Sequence, residues 1–453
     1  MKTEKHNRII NHLVKIPRDR VFIALQDDIY TFEDIHSLCS EFKTDYPEII
    51  DKNCAIISED RESLAIYLPA IDNLCKTIFL QPDDIKTRER EFYHSANIEI
   101  VIKLGNGKVL SVDNIACNVT QQIAETKCND YILATSGTTG EPKLASYTLS
   151  SLIATANKNI DRGTEFIWGL SYDINRFAGL QVYLQSIISG SSLVIPSRTG
   201  SMDSLVNGYT EKSVNCLSAT PSFWRKMLMA PHHKNIPLKQ ITLGGEISNQ
   251  NILTALSNSY PEANIIHIYA STEAGVGFAV KDKKEGFPLD YIDGSINQKC
   301  QLKIKDNVLW IKSNHGCTNF IKGNLDVDNN GYINTGDLIK IKNDRVLFLG
   351  RESGSINVGG NKVMPEKVES VLEDSNHVHM AKVFAKNNSV LGSLVSAEIV
   401  LTDSGKALTN KEMKAEVIAF CRKRLESFEI PALLKRVDMI QTNATGKKIR
   451  NTP

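Results

Sequence analysis

The 453-residue chain lacks a dominant sign of charge: 53 Lys and Arg stand against 52 Asp and Glu, a formal net charge of +1. It therefore offers no bulk field to attract nucleic acid or an anionic membrane, and any anion must be held by a local arrangement. Long hydrophobic runs are missing too. No stretch of about 18 apolar residues reads as a membrane span, and the opening MKTEKHNRIINHLVKIP lacks the continuous apolar segment of a signal peptide. The nine cysteines, scattered from Cys39 to Cys421, form no CxxC pair and no Cys/His cluster at metal-ligand spacing. They read as reduced core residues, so a cytoplasmic protein without nucleic-acid or membrane partners is expected. No internal repeat or low-complexity segment stands out.

What is present is enough chain for two or three domains with a sizeable core. From about residue 20 to 350 short apolar strands alternate with amphipathic stretches; Cys54 to Ile57, Leu193 to Ile195, Ile241 to Leu243 and Ile265 to Tyr269 are strand candidates. The alternation predicts layered α/β sheets. VLWIKS, YINTGDLIKI and DRVLFLG, between Val308 and Gly350, read instead as antiparallel strands joined by Asn/Asp/Gly turns, a small β subdomain. After Gly350 the pattern restarts as a compact α+β unit. Pro365 can open a helix, Thr409 and Glu412 have capping-box spacing ahead of another, and HMAKVFA and LVSAEIVL lie between as strands. The expected division is a domain over 1–351 and a small mobile domain over 352–453, with the boundary near Glu352 or Ser353.

The stretch ATSGTTGEPK, residues 134 to 143, follows a short apolar strand, Tyr131 to Leu133. Gly137 and Gly140 let the backbone turn its amides toward an anion. Thr135, Ser136, Thr138 and Thr139 add hydroxyl donors, and Lys143 adds a full charge. It is not a Walker loop, which needs four residues between its glycines and Lys-Ser or Lys-Thr directly after the second. Pro142 also removes a backbone donor. By composition alone the stretch reads equally as a phosphate loop or a polar surface turn.

SGTTGEPK (136–143), LGGE (243–246), YASTE (269–273), TGD (335–337), GRESGSINVGGNKVMPEKVE (350–369) and ATGKKIR (444–450) occur in one order. That order resembles the adenylate-forming superfamily of acyl-CoA synthetases, nonribosomal peptide adenylation domains and luciferases, firmly from residue 131 to 450. YTFEDI at 30–35 and the run to IFLQP at 78–82 look like a shortened first lobe. The resemblance implies that a carboxylate attacks the α-phosphate of ATP, pyrophosphate leaves, and a thiol captures the acyl-adenylate. Both reactants are anions, so such an enzyme must neutralise and position them.

By the same resemblance, residues 136–143 would grip the departing phosphates. Thr272 would face the α-phosphate and Glu273 would hold Mg²⁺, an oxygen-seeking cation. Asp337 would accept from the ribose hydroxyls, Arg351 would reach the ribose or phosphates, and Gly244, Gly245 and Glu246 would approach the adenine and acyl pocket. Tyr269 would stack on the adenine, with Ala270 and Ser271 beside it. Lys447 matches the catalytic lysine of adenylation, with Lys448 as the neighbouring alternative. Taken singly, Glu273 is a surface carboxylate, Asp337 a turn aspartate, Tyr269 a core ring and Lys447–Lys448 a solvated pair. In the family the terminal domain then rotates to present another face to the thiol. Gly359 and Gly360 look like the version of that face that leaves room for the pantetheine arm of CoA.

Some positions depart from the family. Ser353 stands at the hinge, followed by Gly354, and Leu149 falls where a histidine is usual. LSYDINRFAGL places Arg176 near another usual histidine. Arg176 either faces an acidic or polar group of the substrate or pairs with Asp173 on the surface, and the rarity of buried arginine favours the surface. By register, Phe177, Gly179, Ser218, Thr220 and Ala270 line the acyl pocket. The expected activity is an ATP- and Mg²⁺-dependent acid–thiol ligase with an aromatic or medium-sized acid and CoA as acceptor, working as a monomer or homodimer. Two alternatives stand beside it: transfer to the phosphopantetheine of a carrier protein, and a nucleotide-binding module without catalysis.

Overall fold

The computed structural model of the chain describes residues 7–115, 131–135, 143–197, 200–292, 294, 300–323, 325–388, 392–443 and 447–449. Among the described residues, eight strands form one large sheet in the order Gly275–Val280, Asn264–Ser271, Gln240–Gly244, Cys216–Ala219, Ile167–Leu170, Ser192–Val194, Val21–Ala24, Ile29–Thr31. The inner neighbours run parallel and the two outermost strands antiparallel. A second sheet of seven strands runs Asn319–Lys322, Lys143–Tyr147, Tyr131–Thr135, Thr77–Leu80, Asn53–Ser58, Ile100–Gly105, Lys108–Asn114. The layered α/β expectation is borne out; three of the four strand candidates read from the sequence fall within these ladders, and the fourth, Leu193 to Ile195, overlaps the strand Ser192–Val194, which ends one residue sooner.

Parallel strands are covered on both faces and so read as continuous apolar runs. YILAT at 131–135 is such a run and is buried throughout. Ile56, Leu80 and Leu133 of one sheet and Leu170 and Leu193 of the other belong to a single apolar cluster. Burial of each such side chain contributes about 1.5–3 kcal/mol. A polar clamp adds to this contact. Asp60 caps the helix Arg61–Leu74 by accepting from the Ser63 amide at 2.6 Å. Arg61, buried at the start of that helix, donates to the carbonyls of Leu170 (3.1 Å) and Pro196 (2.7 Å) beyond strands of the other sheet.

The three antiparallel segments expected after Val308 lie in a sheet of five described strands, ordered Phe287–Pro288, Arg345–Arg351, Ile333–Lys342, Val308–Ser313, Cys300–Lys305. Beyond a short turn at Glu352–Gly354, the carboxyl-terminal part builds a separate apolar cluster that includes Val368, Leu372, Val383, Ile399, Met413 and Val417. Its elements are the hairpin Ile356–Val358/Asn361–Val363, the helices Pro365–Glu373 and Asn410–Arg422, and a sheet of Val378–Asn388, Gly392–Leu401 and Leu433–Arg436. Pro365 occupies the first helical turn, and both bonds of the Thr409–Glu412 capping box are formed. Among the described residues, no helix is long and apolar enough to cross a membrane.

Candidate active site

In a parallel sheet the carboxyl ends of the strands leave a crevice where neighbouring connections diverge. Here the strands ending at Leu170, Ala219, Gly244, Ser271 and Thr135 empty into one cavity of about 590 Å³. Each connection has a local reason. Thr220 directly follows its strand and caps the helix Pro221–Met229, accepting from the Phe223 amide at 3.1 Å. Gly245 takes φ +82°, a left-handed conformation that glycine adopts without strain. The strand Asn264–Ser271 has a register shift between Tyr269 and Ala270, a bulge that re-aims the residues after it. Gly275 follows at φ +70°, and an added Cβ there would lie 2.3 Å from the His315 carbonyl oxygen.

The cavity wall includes Thr135, Phe177, Ser218, Thr220, Gly244, Gly245, Ala270, Ser271, Thr272, Glu273, Arg351 and Lys447, all singled out in the sequence. It also includes Trp168, Tyr172, Gln181 and Gln185, which sequence reading missed because the aromatics sit in an apolar strand and its following turn and the glutamines on a helix face. Thr135 is buried, and its hydroxyl has no hydrogen-bond partner among the described residues.

A second cavity of about 370 Å³ adjoins the first, sharing Gly245, Ala270, Arg351 and Lys447 and adding Glu246, Tyr269, Asp337 and Phe348. Asp337 and Arg351 are register partners across adjacent strands, and Arg351 Nε donates to the aspartate at 3.0 Å. Burial opposes the arginine's charge, but Asp337 and Glu273 more than compensate and raise its pKa. The Tyr269 hydroxyl donates to the other Asp337 oxygen at 2.6 Å. The ring of Tyr269 is stacked on Phe278 (5.2 Å, 12°) and on Phe348 (5.3 Å, 3°). Tyr269 thus lies between strand neighbours with its hydroxyl fixed on Asp337, and it lines this second cavity.

Lys447 arrives at these cavities from the carboxyl-terminal part. It faces the crevice with surface still open to solvent, yet the protein packed around that crevice, and then Arg351, lower its pKa against the opposing pull of Glu246, Asp337 and Glu273. A Cβ on Gly245 would lie 3.4 Å from Lys447 Cε. The next residue points the other way. Lys448 Nζ lies 3.0 Å from Glu369 and 2.9 Å from Glu373, with only 8% of its side chain exposed. The Lys448 amide donates to Glu246 at 3.1 Å, and Arg225 meets Glu373 at 2.8 Å. Glu369 and Glu373 were not foreseen, although two glutamates four apart on the core-facing side of a helix are a legible sign of a buried cation.

Other expected residues lie elsewhere. Ser136, Gly137, Thr138, Thr139 and Gly140 fall outside the described residues. Lys143 begins its strand with Nζ 6.0 Å from the Phe320 ring centre and is on neither cavity wall. Gly179 is not a pocket wall: a Cβ there would meet the Asp173 carbonyl oxygen at 1.9 Å, so the glycine permits a helix start to pack closely. Gly359 and Gly360 form a hairpin tip at φ +57° and +92°, which by itself calls for glycine, and neither lines a cavity. Ser353 sits in the exposed turn Glu352–Gly354. Arg176 corrects the surface reading. It is 8% exposed, lines the cavity, pairs with Asp84 rather than the Asp173 side chain, and donates to the Ala134 carbonyl at 3.3 Å.

Comparison with known proteins follows the same outline. Residues 71–309 match the family model of AMP-binding enzymes, and residues 367–447 match that of the AMP-binding enzyme C-terminal domain. A 2-succinylbenzoate–CoA ligase of Bacillus velezensis is 26% identical over 341 residues, covering 71% of this chain and 67% of that protein. A plipastatin synthase of Bacillus subtilis is 22% identical over 386 residues, 78% of this chain but 15% of that protein. Among solved structures, the o-succinylbenzoate CoA synthetase of Bacillus subtilis in complex with its acyl-adenylate intermediate superimposes with a TM-score of 0.71 at 18% identity, covering 99% of this chain and 98% of that one. The first family model alone spans more than half of the sequence, and with strands, crevice and terminal lysine arranged as described, the chain belongs to the AMP-binding enzymes.

Proposed function

We propose that the protein joins a carboxylic acid to AMP at the expense of ATP and passes the acyl group to the thiol of CoA. The observation that carries this reading is the convergence of Lys447 with Thr272, Glu273 and Arg351 on one cavity, with Asp337 beside it. An acid and a triphosphate repel, and cations held in a partly dry crevice offset that repulsion far more effectively than in water. Asp337 accepts from the ribose, and Arg351 keeps it aligned. Lys447 reaches the carboxylate oxygen and α-phosphate, where charge concentrates. Thr272 donates to that phosphate.

Among the described residues no group of three carboxylates, histidines or cysteines gathers into a metal cage. A single Glu273 suits Mg²⁺ delivered with ATP, since that ion takes one or two carboxylates and keeps phosphate and water ligands. When bound, it would neutralise phosphate charge. Ser136 to Gly140 would complete the grip on the leaving phosphates. Residues 352–453 would act as the lid, with Ser353 at its hinge and Gly359–Gly360 on the thiol side.

Trp168, Phe177, Tyr172 and two glutamines around a cavity of this size suit an aromatic or medium-sized acid with a polar group better than a long alkyl chain. The likeness to 2-succinylbenzoate–CoA ligases supports the same choice and supports free CoA over a carrier protein. The matched part of plipastatin synthase keeps the carrier reading open as the second. ATP–pyrophosphate exchange over a panel of acids tests the first half-reaction, and free CoA against loaded carrier protein tests the second. No exchange with any acid, in protein that binds ATP, would overturn the proposal.

A further inference from the structure

Lys447 and Lys448 are adjacent and both cationic, yet the first faces the crevice with surface open to solvent while the side chain of the second is buried. Residues 441–443 and 447–449 are held as a narrow antiparallel pair: the Asn443 amide donates to the Lys447 carbonyl at 2.8 Å, the Ile449 amide to the Gln441 carbonyl at 3.2 Å, and Thr442 bridges Lys448. In extended chain successive side chains face opposite ways, so anchoring residue 448 on one side aims residue 447 to the other. Lys448 is anchored by Glu369 and Glu373, which stand four apart on one face of the helix Pro365–Glu373. Both carboxylates have further fixed partners, Glu369 accepting from the Val383 amide at 2.9 Å and Glu373 from the Ala381 amide at 3.1 Å. The side chains of Lys448, Glu369 and Glu373 are 4–8% exposed, so the charges cannot exchange partners with water.

Glu373 also meets Arg225 of the helix Pro221–Met229, on the other side of the crevice. Around that crossing, Asn249 donates to Glu373 at 3.3 Å, Asn251 to Asp374 at 2.6 Å, and Lys226 to the Thr442 hydroxyl at 2.9 Å. The network therefore has two kinds of bond. Those of Lys448 to Glu369 and Glu373 lie within the carboxyl-terminal part and travel with it. Those of Arg225 to Glu373 and of the Lys448 amide to Glu246 cross between parts and must break if it moves.

We propose that Lys448 is a positioning residue for Lys447: its buried pairing with Glu369 and Glu373 fixes residues 447–449 to their helix, and Arg225, through the shared Glu373, registers that assembly over the crevice. The inference rests on the adenylation reading for its kinetic consequence and on geometry alone for its structural one. Buried ion pairs serve as registry devices elsewhere, because a misaligned arrangement leaves a charge without a partner.

Three variants in the full chain test it: Lys448→Met, which keeps the stem and drops the charge, Lys448→Arg, and Arg225→Met. Lys447→Ala marks loss of the cation itself. Pyrophosphate exchange reports the first step, thioester formation from supplied acyl-adenylate the second, and hydrogen exchange of the peptide carrying Lys447 reports anchoring. Lys448→Met should lower kcat of the first step ~10–100-fold with the KM for ATP within ~3-fold, an effect on the transition state rather than on binding. The second step should stay within ~2-fold, amide exchange should quicken, and Lys448→Arg should recover most of the rate. Arg225→Met should slow the first step ~3–10-fold and leave the second equal or faster, because only the docked arrangement loses a bond. A folded Lys448→Met protein with the normal first-step rate and unchanged amide protection would overturn the inference. If Lys448→Met gives no cooperative melt, a normal first-step rate in Arg225→Met does so instead. If the unaltered protein exchanges pyrophosphate with no acid, the adenylation reading falls while amide exchange still decides the anchoring.

Discussion

Asp337 and Arg351 face each other across an antiparallel strand pair and meet at 3.0 Å, while the second aspartate oxygen takes the Tyr269 hydroxyl at 2.6 Å. The carboxylate is thus held by two partners before any ribose arrives. Asp337→Asn keeps the shape and loses the charge. Hydrogen bonds to charged groups contribute about 1.5–3 kcal/mol each, so the KM for ATP should rise ~10–100-fold. Pyrophosphate exchange at varied ATP measures it, and an unchanged KM would remove Asp337 from the nucleotide site.

Lys447→Ala should reduce adenylation by ~10²–10³-fold, the cost of one preorganised group at a developing charge. Thiol capture of a supplied adenylate should stay within a few-fold. Equal loss in both half-reactions would deny the lysine a role specific to the first.

The same lysine predicts a pH profile. The protein packed around the crevice, and then Arg351, lower its pKa, so in the free enzyme the ammonium is lost at a pH below the ordinary lysine range. The alkaline limb of kcat/KM for the first step should therefore fall earlier than for an exposed lysine. Bound phosphates favour the ammonium and should move the limb of kcat upward. Lys447→Ala should abolish that limb.

Gly179→Ala separates a packing role from a pocket role. Its Cβ would lie 1.9 Å from the Asp173 carbonyl oxygen, so the helix start must shift, at about 1–3 kcal/mol. Thermal melting should show the loss, while the order of preference among acids stays the same. A changed preference at unchanged stability would return Gly179 to the pocket.

Arg176→Met should cost about 1–3 kcal/mol, because it removes a buried guanidinium that links the exposed Asp84 to the Ala134 carbonyl. Thr135 follows Ala134 directly, so the KM for ATP should rise more than the KM for any acid. A rise confined to acids with a second carboxylate would assign Arg176 to the substrate instead.

Docking of the carboxyl-terminal part should weaken at acid pH. Burial works against the charge on Glu373, but Arg225 and Lys448 outweigh it and hold its pKa below the usual carboxylate range. A depressed carboxylate contributes stability that is full above its unfolded value, about 4.3, and fades as pH falls through the folded one. Unfolding midpoints measured downward from pH 5 should drop less in Glu373→Gln than in the unaltered chain.

How much was legible in the sequence depended on the range of the interaction. Apolar runs such as YILAT, the Thr409–Glu412 capping box and the turn-rich strands after Val308 are local statements, fixed by periodicity and backbone preference. Motif order was equally plain, and the family match agrees with it. Gly179 misled because a glycine records only that something is close, not what lies opposite. Tyr269 could be placed at the site, but the two phenylalanines stacked near its ring come from other strands. Arg176 looked like a surface residue because its partner, Asp84, lies 92 positions away.

The sequence by itself determined the alternation of strands and helices, the loops that end at the crevice, and the need for a cation near residue 447. The motif match already favoured Lys447, and the tertiary structure adds the physical reason the two lysines differ. By charge alone two neighbouring ammonium groups are equivalent. Folding breaks that equivalence, because buried carboxylates from a helix some eighty residues earlier hold Lys448 and turn Lys447 toward the nucleotide crevice.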